Sequence, residues 1–258
     1  MKEKLDAFSK VLQTMNRLRE ECPWDKKQTF ESLRMLTIEE VHELSDAILN
    51  NSYSQTKEEL GDLLIHIVFY AKIAEEKNEF TIKDVCDTLV DKLVERHPHI
   101  YGNIKLQNED EVKQNWEKIK LKNGKKLTLE GVPKSLPSMI KAIRMQEKAR
   151  GVGFDWDNRH QVWDKINEEL IEFKEEIEKN IGNKDKIEEE FGDILFSLIN
   201  YSRFYNVNPD NALERTNNKF HNRFNKMQEI ISDEKKDLMD MPLVEMEKYW
   251  QKAKNLLG

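Results

Sequence analysis

The chain is 258 residues long and carries 42 Lys and Arg against 49 Asp and Glu, a formal net charge of −7 at pH 7. An acid surplus of this size excludes broad, non-specific association with nucleic acid. Charged residues make up 35% and hydrophobic residues 38%, with only 9 Gly and 6 Pro, a helix-rich composition with room for two domains of roughly 120 residues. Cys22 and Cys86 stand at no metal-ligand spacing and read as reduced thiols of a cytoplasmic protein. The opening MKEKLDAFSK has no long apolar stretch and does not read as a signal peptide. The apolar run 63–74 is interrupted by His66 and Lys72 and falls short of the ~20 residues that span a bilayer. Neither a membrane nor nucleic acid is an expected partner.

Helical periodicity dominates in chain order. In Phe8-x-x-Val11-Leu12-x-x-Met15-x-x-Leu18 the apolar residues recur at three and four, which predicts an amphipathic helix ending near Cys22-Pro23. Pro23 breaks that helix, so residues 22–29 are expected as a loop, with Trp24 packing it onto the core. The helical pattern resumes through Leu33, Leu36, Val41, Leu44 and Ile48, and the polar stretch 50–56 reads as a turn. A second long helix is expected to begin near Thr56, its cap, and to run buried on most sides through Leu63, Leu64, Ile67, Val68, Ala71 and Ile73. His97-Pro98-His99 offers a His-x-His pair, but the proline favours a helix-terminating loop.

The same landmarks return in the second half. Residues 139–148 repeat the opening helix, and Phe154-Asp155-Trp156-Asp157 repeats Cys22-Pro23-Trp24-Asp25, with Trp156 again expected to pack its loop. Lys219-x-x-x-Arg223 repeats Lys92-x-x-x-Arg96, and Tyr249-Trp250-Gln251-Lys252-Ala253-Lys254 repeats Asn115-Trp116-Glu117-Lys118-Ile119-Lys120. This reads as a tandem duplication. It places an N-terminal domain over 1–122, a linker with Gly124, Gly131, Pro133 and Pro137 over 123–137, and a C-terminal domain over 138–258.

Between these landmarks a carboxylate pattern occurs twice in one order. Glu39-Glu40-x-x-Glu43 precedes Glu58-Glu59-Leu60-Gly61-Asp62, and Glu168-Glu169-x-x-Glu172 precedes Glu189-Glu190-Phe191-Gly192-Asp193. Residues three or four apart share a helix face. Glu40 with Glu43 and Glu59 with Asp62, then Glu169 with Glu172 and Glu190 with Asp193, are therefore presented in pairs on two helices per half. One such pattern in a Glu-rich chain is ordinarily a solvated face. Its recurrence, each time where an acidic segment meets an apolar one, argues for ligation. Four converging carboxylates repel one another unless a cation sits among them, and an all-oxygen set suits Mg²⁺, with Mn²⁺ as substitute. That chemistry points to metal-assisted cleavage of a phosphoanhydride, with one carboxylate taking a proton from the attacking water. No Gly-rich phosphate loop of the Lys-Ser/Thr type and no dinucleotide fingerprint is present.

Lys219 and Arg223 share a helix face suited to a polyphosphate. Lys165 stands four before Glu169 and Lys186 four before Glu190, whereas the first-half counterparts Leu36 and Gln55 are uncharged. The second half is therefore expected to be the main catalytic one. Trp250 reads as a platform for a base, with Lys254 one turn on facing a phosphate. The plainer readings are a core tryptophan and helix salt bridges worth ~0.3–0.5 kcal/mol each.

Together, Cys22-Pro23-Trp24-Asp25-x-x-Gln28-Thr29, Arg96-His97-Pro98-His99, Val152-Gly153-Phe154-Asp155-Trp156 and the two acidic sets resemble the MazG family over nearly the whole chain. Its members are nucleoside triphosphate pyrophosphohydrolases of the all-α pyrophosphatase superfamily. The resemblance implies an all-α fold of two tandem helical-bundle repeats completed by homodimerisation. It implies Mg²⁺-dependent hydrolysis of nucleoside triphosphates to monophosphate and pyrophosphate with broad base tolerance. It also implies Mg²⁺ and catalysis on Glu169, Glu172, Glu190 and Asp193, and a further metal set at Glu40, Glu43, Glu59 and Asp62. Nucleotide contacts are implied for Lys165, Glu168, Lys186, Glu189, Lys219, Arg223, Trp250 and Lys254. Two rival readings are a base-selective pyrophosphatase of the dUTP or dCTP type and a non-catalytic helical interaction protein whose acids are solvated surface.

Overall fold

The computed structural model describes residues 1–122, 127–179 and 183–258. Every regular element among them is helical, so the all-α expectation holds. No helix among the described residues is long and apolar enough to cross a membrane. The chain divides into two compact units, Met1–Asn108 and Glu109–Gly258.

The first unit holds α1 (Lys2–Glu21), α2 (Phe30–Leu49), α3 (Tyr53–Glu76), α4 (Ile82–Arg96) and the single turn α5 (Pro98–Tyr101). Helix α1 stops at an extended Cys22 because the following proline disfavours helical backbone before it. The loop contains a 3₁₀ turn, Asp25–Lys27. Arg19 binds it down, donating to the carbonyls of Asp25 and Gln28 and to the Glu76 carboxylate at the end of α3. Trp24 does not pack this loop as expected. Asp25 is the buried residue, and Trp24 is turned outward.

Helix α2 opens with a reciprocal cap. The Ser32 N–H donates to Thr29 Oγ1 at 3.2 Å, and the Thr29 N–H donates to Ser32 Oγ at 2.9 Å. It closes through Asn51 at φ 53, where the Ser52 N–H donates to the Ala47 carbonyl at 3.0 Å. Helix α3 starts at Tyr53, earlier than expected, because Ser52 rather than Thr56 is the cap. Thr56 already lies in the first turn and donates its hydroxyl to the Ser52 carbonyl at 2.8 Å. Met15, Leu33, Val68, Phe69 and Ile73 form the core of this unit. Only part of α3 is enclosed. Leu60, Leu64 and Ile67, spaced four and three apart, remain exposed, since α1 and α2 cover one of its faces.

The second unit holds α6 (Glu109–Lys122), α7 (Ser138–Gly151), α8 (Arg159–Lys179), α9 (Lys184–Ser202), α10 (Pro209–Asp233) and α11 (Leu243–Leu257). Helix α6, expected within a domain over 1–122, groups with this unit and packs on α7. Its Val112, Trp116 and Ile119 form a half-buried row. Of the expected linker, residues 123–126 lie outside the described residues, and the remainder contains the 3₁₀ turn Thr128–Gly131.

Helices α8 and α9 pack along each other over buried Val162, Ile166, Ile194 and Ile199. Helices α10 and α11 pack on each other around Met227, Ile231, Tyr249 and Ala253. The turn after α7 passes through Gly153, whose φ of 89 is rarely open to L side chains. There the Gly153 N–H donates to the Arg150 carbonyl at 2.9 Å and the Phe154 N–H to the Ala149 carbonyl at 3.0 Å.

Leu33→Ala removes a side chain only 1% exposed and is expected to cost about 3 kcal/mol, read as a lower denaturant midpoint by circular dichroism. A loss under about 1 kcal/mol would show that α2 is not held by this core.

Candidate active site

The α8–α9 seam fixes the second acidic set. Its apolar residues face inward at helical spacing, so the carboxylates on the adjoining rows are forced toward one another. Glu169, Glu190 and Asp193 converge, with oxygens all within 4.8 Å of one another. Glu169 is only 5% exposed. Glu172 stands outside this trio, yet its charge bears on Glu190. Burial, then Glu172, Asp193 and Glu169, push the Glu190 carboxyl up from its ordinary value. Burial, then Glu169 and Glu189, push Asp193 up, with Lys165 opposing.

Lys165 is the counter-charge. Its Nζ lies 2.8 Å from Glu168 Oε1 and 2.8 Å from Glu169 Oε1. These two hydrogen bonds hold the ammonium well above its ordinary pKa, so it stays charged at any physiological pH.

The first unit repeats the arrangement on α2 and α3. Glu40, Glu43 and Glu59 converge within the same 4.8 Å, and Asp62 adds to the repulsion. Burial, then Asp62, Glu43 and Glu59, raise Glu40. Burial, then Glu43 and Asp62, raise Glu59. The surroundings differ from those of the second set. Beneath these acids Thr37 Oγ1 lies 3.0 Å from His66 Nδ1 and 2.7 Å from the Tyr70 hydroxyl. Burial pushes the His66 pKa down against the opposing charge of Asp62, so the imidazole is neutral.

Both trios fit a hard divalent cation. The donors are all oxygen, they are close enough to share one ion, and the carboxyls of Glu40, Glu59, Glu190 and Asp193 are raised first by burial and then by neighbouring negative charge, both of which a bound cation would offset. Glu169, Glu190 and Asp193 would hold it in the second unit.

A cavity of about 720 Å³ opens beside the second set, between α7, the loop after it, α8 and α9. Lys165, Glu169 and Asp193 stand on its wall, with Phe154, Trp156 and Phe196 among its apolar lining. Trp156 therefore does not pack its loop onto the core. It is 43% exposed and faces this space. Asp155 holds Arg203 in a two-point ion pair, one arm 2.8 Å long, and Arg203 Nε donates to Asn200 Oδ1 at 2.7 Å. These residues were missed in the sequence. The partners lie 48 positions apart, and no local pattern joins them.

The other expected nucleotide contacts are placed as follows. Glu189 is exposed on α9, and Lys186 is exposed with its backbone N–H on the Asn183 cap. Lys219, Arg223, Trp250 and Lys254 lie on the α10–α11 hairpin, and none lines the cavity. Trp250 is half-buried against Phe220, ring centroids 5.3 Å apart, at the edge of the hairpin core. Arg223 donates to the Gly258 carbonyl at 3.0 Å, while Lys219 and Lys254 are exposed.

The raised carboxyls fix the sign of a pH effect. Groups that bind protons more tightly folded than unfolded stabilise the cation-free protein at low pH. That stability is lost as pH rises through their raised values. A cation restores it where the groups are ionised. Millimolar Mg²⁺ is expected to raise the melting temperature by several degrees at about pH 7.5 and hardly at all at about pH 4.5. Equal shifts at both, or none at either, would count against ligation.

The family model described as the MazG nucleotide pyrophosphohydrolase domain matches residues 28–101 and 158–228, and so takes in both acidic sets. The nucleoside triphosphate pyrophosphohydrolase/pyrophosphatase MazG of Thermotoga maritima is 44% identical over 259 residues, 98% of each chain. The nucleoside triphosphate pyrophosphohydrolase of Escherichia coli K12 is 36% identical over 97% of this chain and 98% of its own length. The uncharacterized protein YabN of Bacillus subtilis is 44% identical over 90% of this chain but only 48% of its own. With two acid-bearing helical hairpins in series and relatives matched from end to end, the chain belongs to the MazG nucleotide pyrophosphohydrolase family.

Proposed function

We propose that this protein hydrolyses nucleoside triphosphates to the nucleoside monophosphate and pyrophosphate, with Mg²⁺ as cofactor and the chemistry centred in the second unit. One observation carries the reading: Glu169, Glu190 and Asp193 converge, and Glu169 and Asp193 stand with Lys165 on the wall of a cavity large enough for a nucleoside. Bound there, Mg²⁺ supplies charge neutralisation for the polyphosphate and lowers the pKa of a water molecule. Glu172, outside the trio but electrostatically coupled to it, would accept the proton of the attacking water. Lys165 keeps its charge and turns it to the substrate's phosphates once Glu168 and Glu169 are otherwise engaged. Lys186, Lys219, Arg223 and Lys254 are further cations for the polyphosphate. The mostly apolar cavity walls accept more than one base.

A homodimer belongs to the same reading. Trp163, Leu170 and Ile177 recur every seven residues on α8, and Phe191, Leu195 and Leu198 share a face of α9, yet all are exposed. Continuous apolar stripes of this kind are uncommon on monomers, and a second copy bearing the same stripes would cover them.

Two measurements test the proposal. Pyrophosphate release from a panel of triphosphates with Mg²⁺ is expected for the wild type, to fall at least ~100-fold in Glu172→Gln and to change only a few-fold in Glu43→Gln. The absence of release with either Mg²⁺ or Mn²⁺ would sink the proposal, and loss confined to Glu43→Gln would move the chemistry to the first unit. In sedimentation, the wild type is expected at twice the chain mass and Phe191→Glu/Leu195→Glu at the chain mass. A wild-type monomer would contradict the dimer.

A further inference from the structure

We propose that a second cavity of the same unit binds a small organic molecule through a phosphate group, apart from both acidic sets, and that Arg203 carries its presence to the larger cavity. This second cavity measures about 510 Å³ and lies between the start of α6, α7, the end of α9 and the start of α10. Its size is that of a small-ligand pocket. No acid of either trio lines it. The inference goes beyond the hydrolase reading and does not depend on it.

The balance of charge around the cavity carries it. Glu109, Lys113, Glu147, Arg150 and Arg203 are the charged residues of its wall, three cations against two acids in a chain of net charge −7. Four of them are engaged. Lys113 Nζ lies 2.5 Å from Glu109 Oε1, Arg144 of the same helix pairs with Glu147, and Asp155 holds Arg203. Arg150 is left over. It is half-buried, and its guanidinium donates no hydrogen bond among the described residues. Its place in the last turn of α7 suits the helix dipole. The dipole alone leaves the five N–H donors of the fork without acceptors, in a concave wall where an oxyanion can reach them.

The neighbours of Arg150 set the class of that oxyanion. Lys113 first, and then Arg150, hold the Glu109 carboxyl below its ordinary value, so both cations act on the same carboxylate. The Lys113 and Glu109 side chains are 47% and 80% exposed, and a pair so open to water is weakly held. A phosphate dianion takes Arg150 in a two-point contact and draws Lys113 away from Glu109 as well. A single carboxylate satisfies Arg150 and leaves Lys113 where it is. Ile143, Ile199 and Val207 complete the wall and suit the organic body that carries the phosphate.

The link to the larger cavity is direct. Arg203 lines both cavities, and its partners Asp155 and Asn200 stand on the wall of the larger one. A phosphate in the second cavity competes with Asp155 for the guanidinium. The loop that carries Asp155 and Trp156 registers the competition.

The test titrates orthophosphate into the metal-free protein by calorimetry, where the acidic sets repel the probe. About one site per chain is expected, with a Kd of about 1 mM or below, and acetate should bind at least tenfold more weakly. Ribose 5-phosphate should bind more tightly than orthophosphate. Arg150→Leu is expected to weaken phosphate binding at least tenfold. Glu109→Gln frees Lys113 and should tighten it several-fold, a gain that a damaged fold does not mimic. Lys219→Met, on the α10–α11 hairpin, should leave it unchanged. Bound phosphate should also change the tryptophan fluorescence of the wild type, and the change should vanish in Trp156→Phe. Circular dichroism confirms that each variant is folded, and if Arg150→Leu is not, Glu109→Gln decides.

An absence of phosphate binding, binding untouched by Arg150→Leu or not tightened by Glu109→Gln, loss in Lys219→Met, or acetate bound as well as phosphate would each overturn the site. Orthophosphate bound more tightly than ribose 5-phosphate would overturn the organic ligand. Phosphate bound without a response from Trp156 would overturn the link through Arg203. None of these results touches the hydrolase reading.

Discussion

Repulsion among carboxylates held together by an apolar seam is the constraint on which the second unit turns. Val162 and Ile166 on α8 meet Ile194 and Ile199 on α9 because burying them is favourable, roughly 25 cal/mol per Å² of apolar surface. That packing fixes the register of the hairpin and leaves Glu169, Glu190 and Asp193 nowhere to separate. Burial first, and then the neighbouring carboxylates, raise the carboxyls of Glu190 and Asp193. A sequence that breaks a local rule of charge in this way, at the mouth of a buried hairpin, makes an arrangement that a cation would relieve.

The two repeats solve the same electrostatic problem with different neighbours. Lys165 supplies a permanent positive charge in the second unit, where the first has Leu36. One turn after the Gly-Asp pair, the first unit buries His66 against Thr37 and Tyr70, while the second has the small hydroxyl of Ser197 beside an open cavity. A buried imidazole bonded through Nδ1 to Thr37 is a packed structural element. A small side chain leaves room. The duplication thus preserved the acids and changed what surrounds them, and this difference, more than the acids themselves, separates the roles proposed for the two halves.

Much of this was legible in the sequence because it is periodic. Helices announce themselves at spacings of three and four, and the repeated Glu-Glu-x-x-Glu and Gly-Asp patterns lead to both acid clusters, although Asp62 and Glu172, expected within them, stand outside the trios. What escaped was non-periodic. Trp24 and Trp156 were expected to pack their loops, but Arg19 and Gly153 set those loops so that both rings turn outward. The Asp155–Arg203–Asn200 chain joins positions far apart and has no spacing to recognise. Helix α6 repeats α11 in sequence order, yet it packs on α7, whereas α11 packs on α10. Register in a repeat reports ancestry, whereas packing follows the partners each helix meets. The start of α3 moved because Ser52 and Thr56 are both good caps, and Ser52 follows directly on the left-handed Asn51.

The most direct measurement of the central claim is the number of Mn²⁺ ions bound, counted by electron paramagnetic resonance, in the wild type and in Glu169→Gln. If the seam carboxylates form a cation site, the substitution removes the ions of the second unit and leaves those of the first. An unchanged count and affinity would mean that Glu169, Glu190 and Asp193 hold no ion, and the account built on them would be wrong.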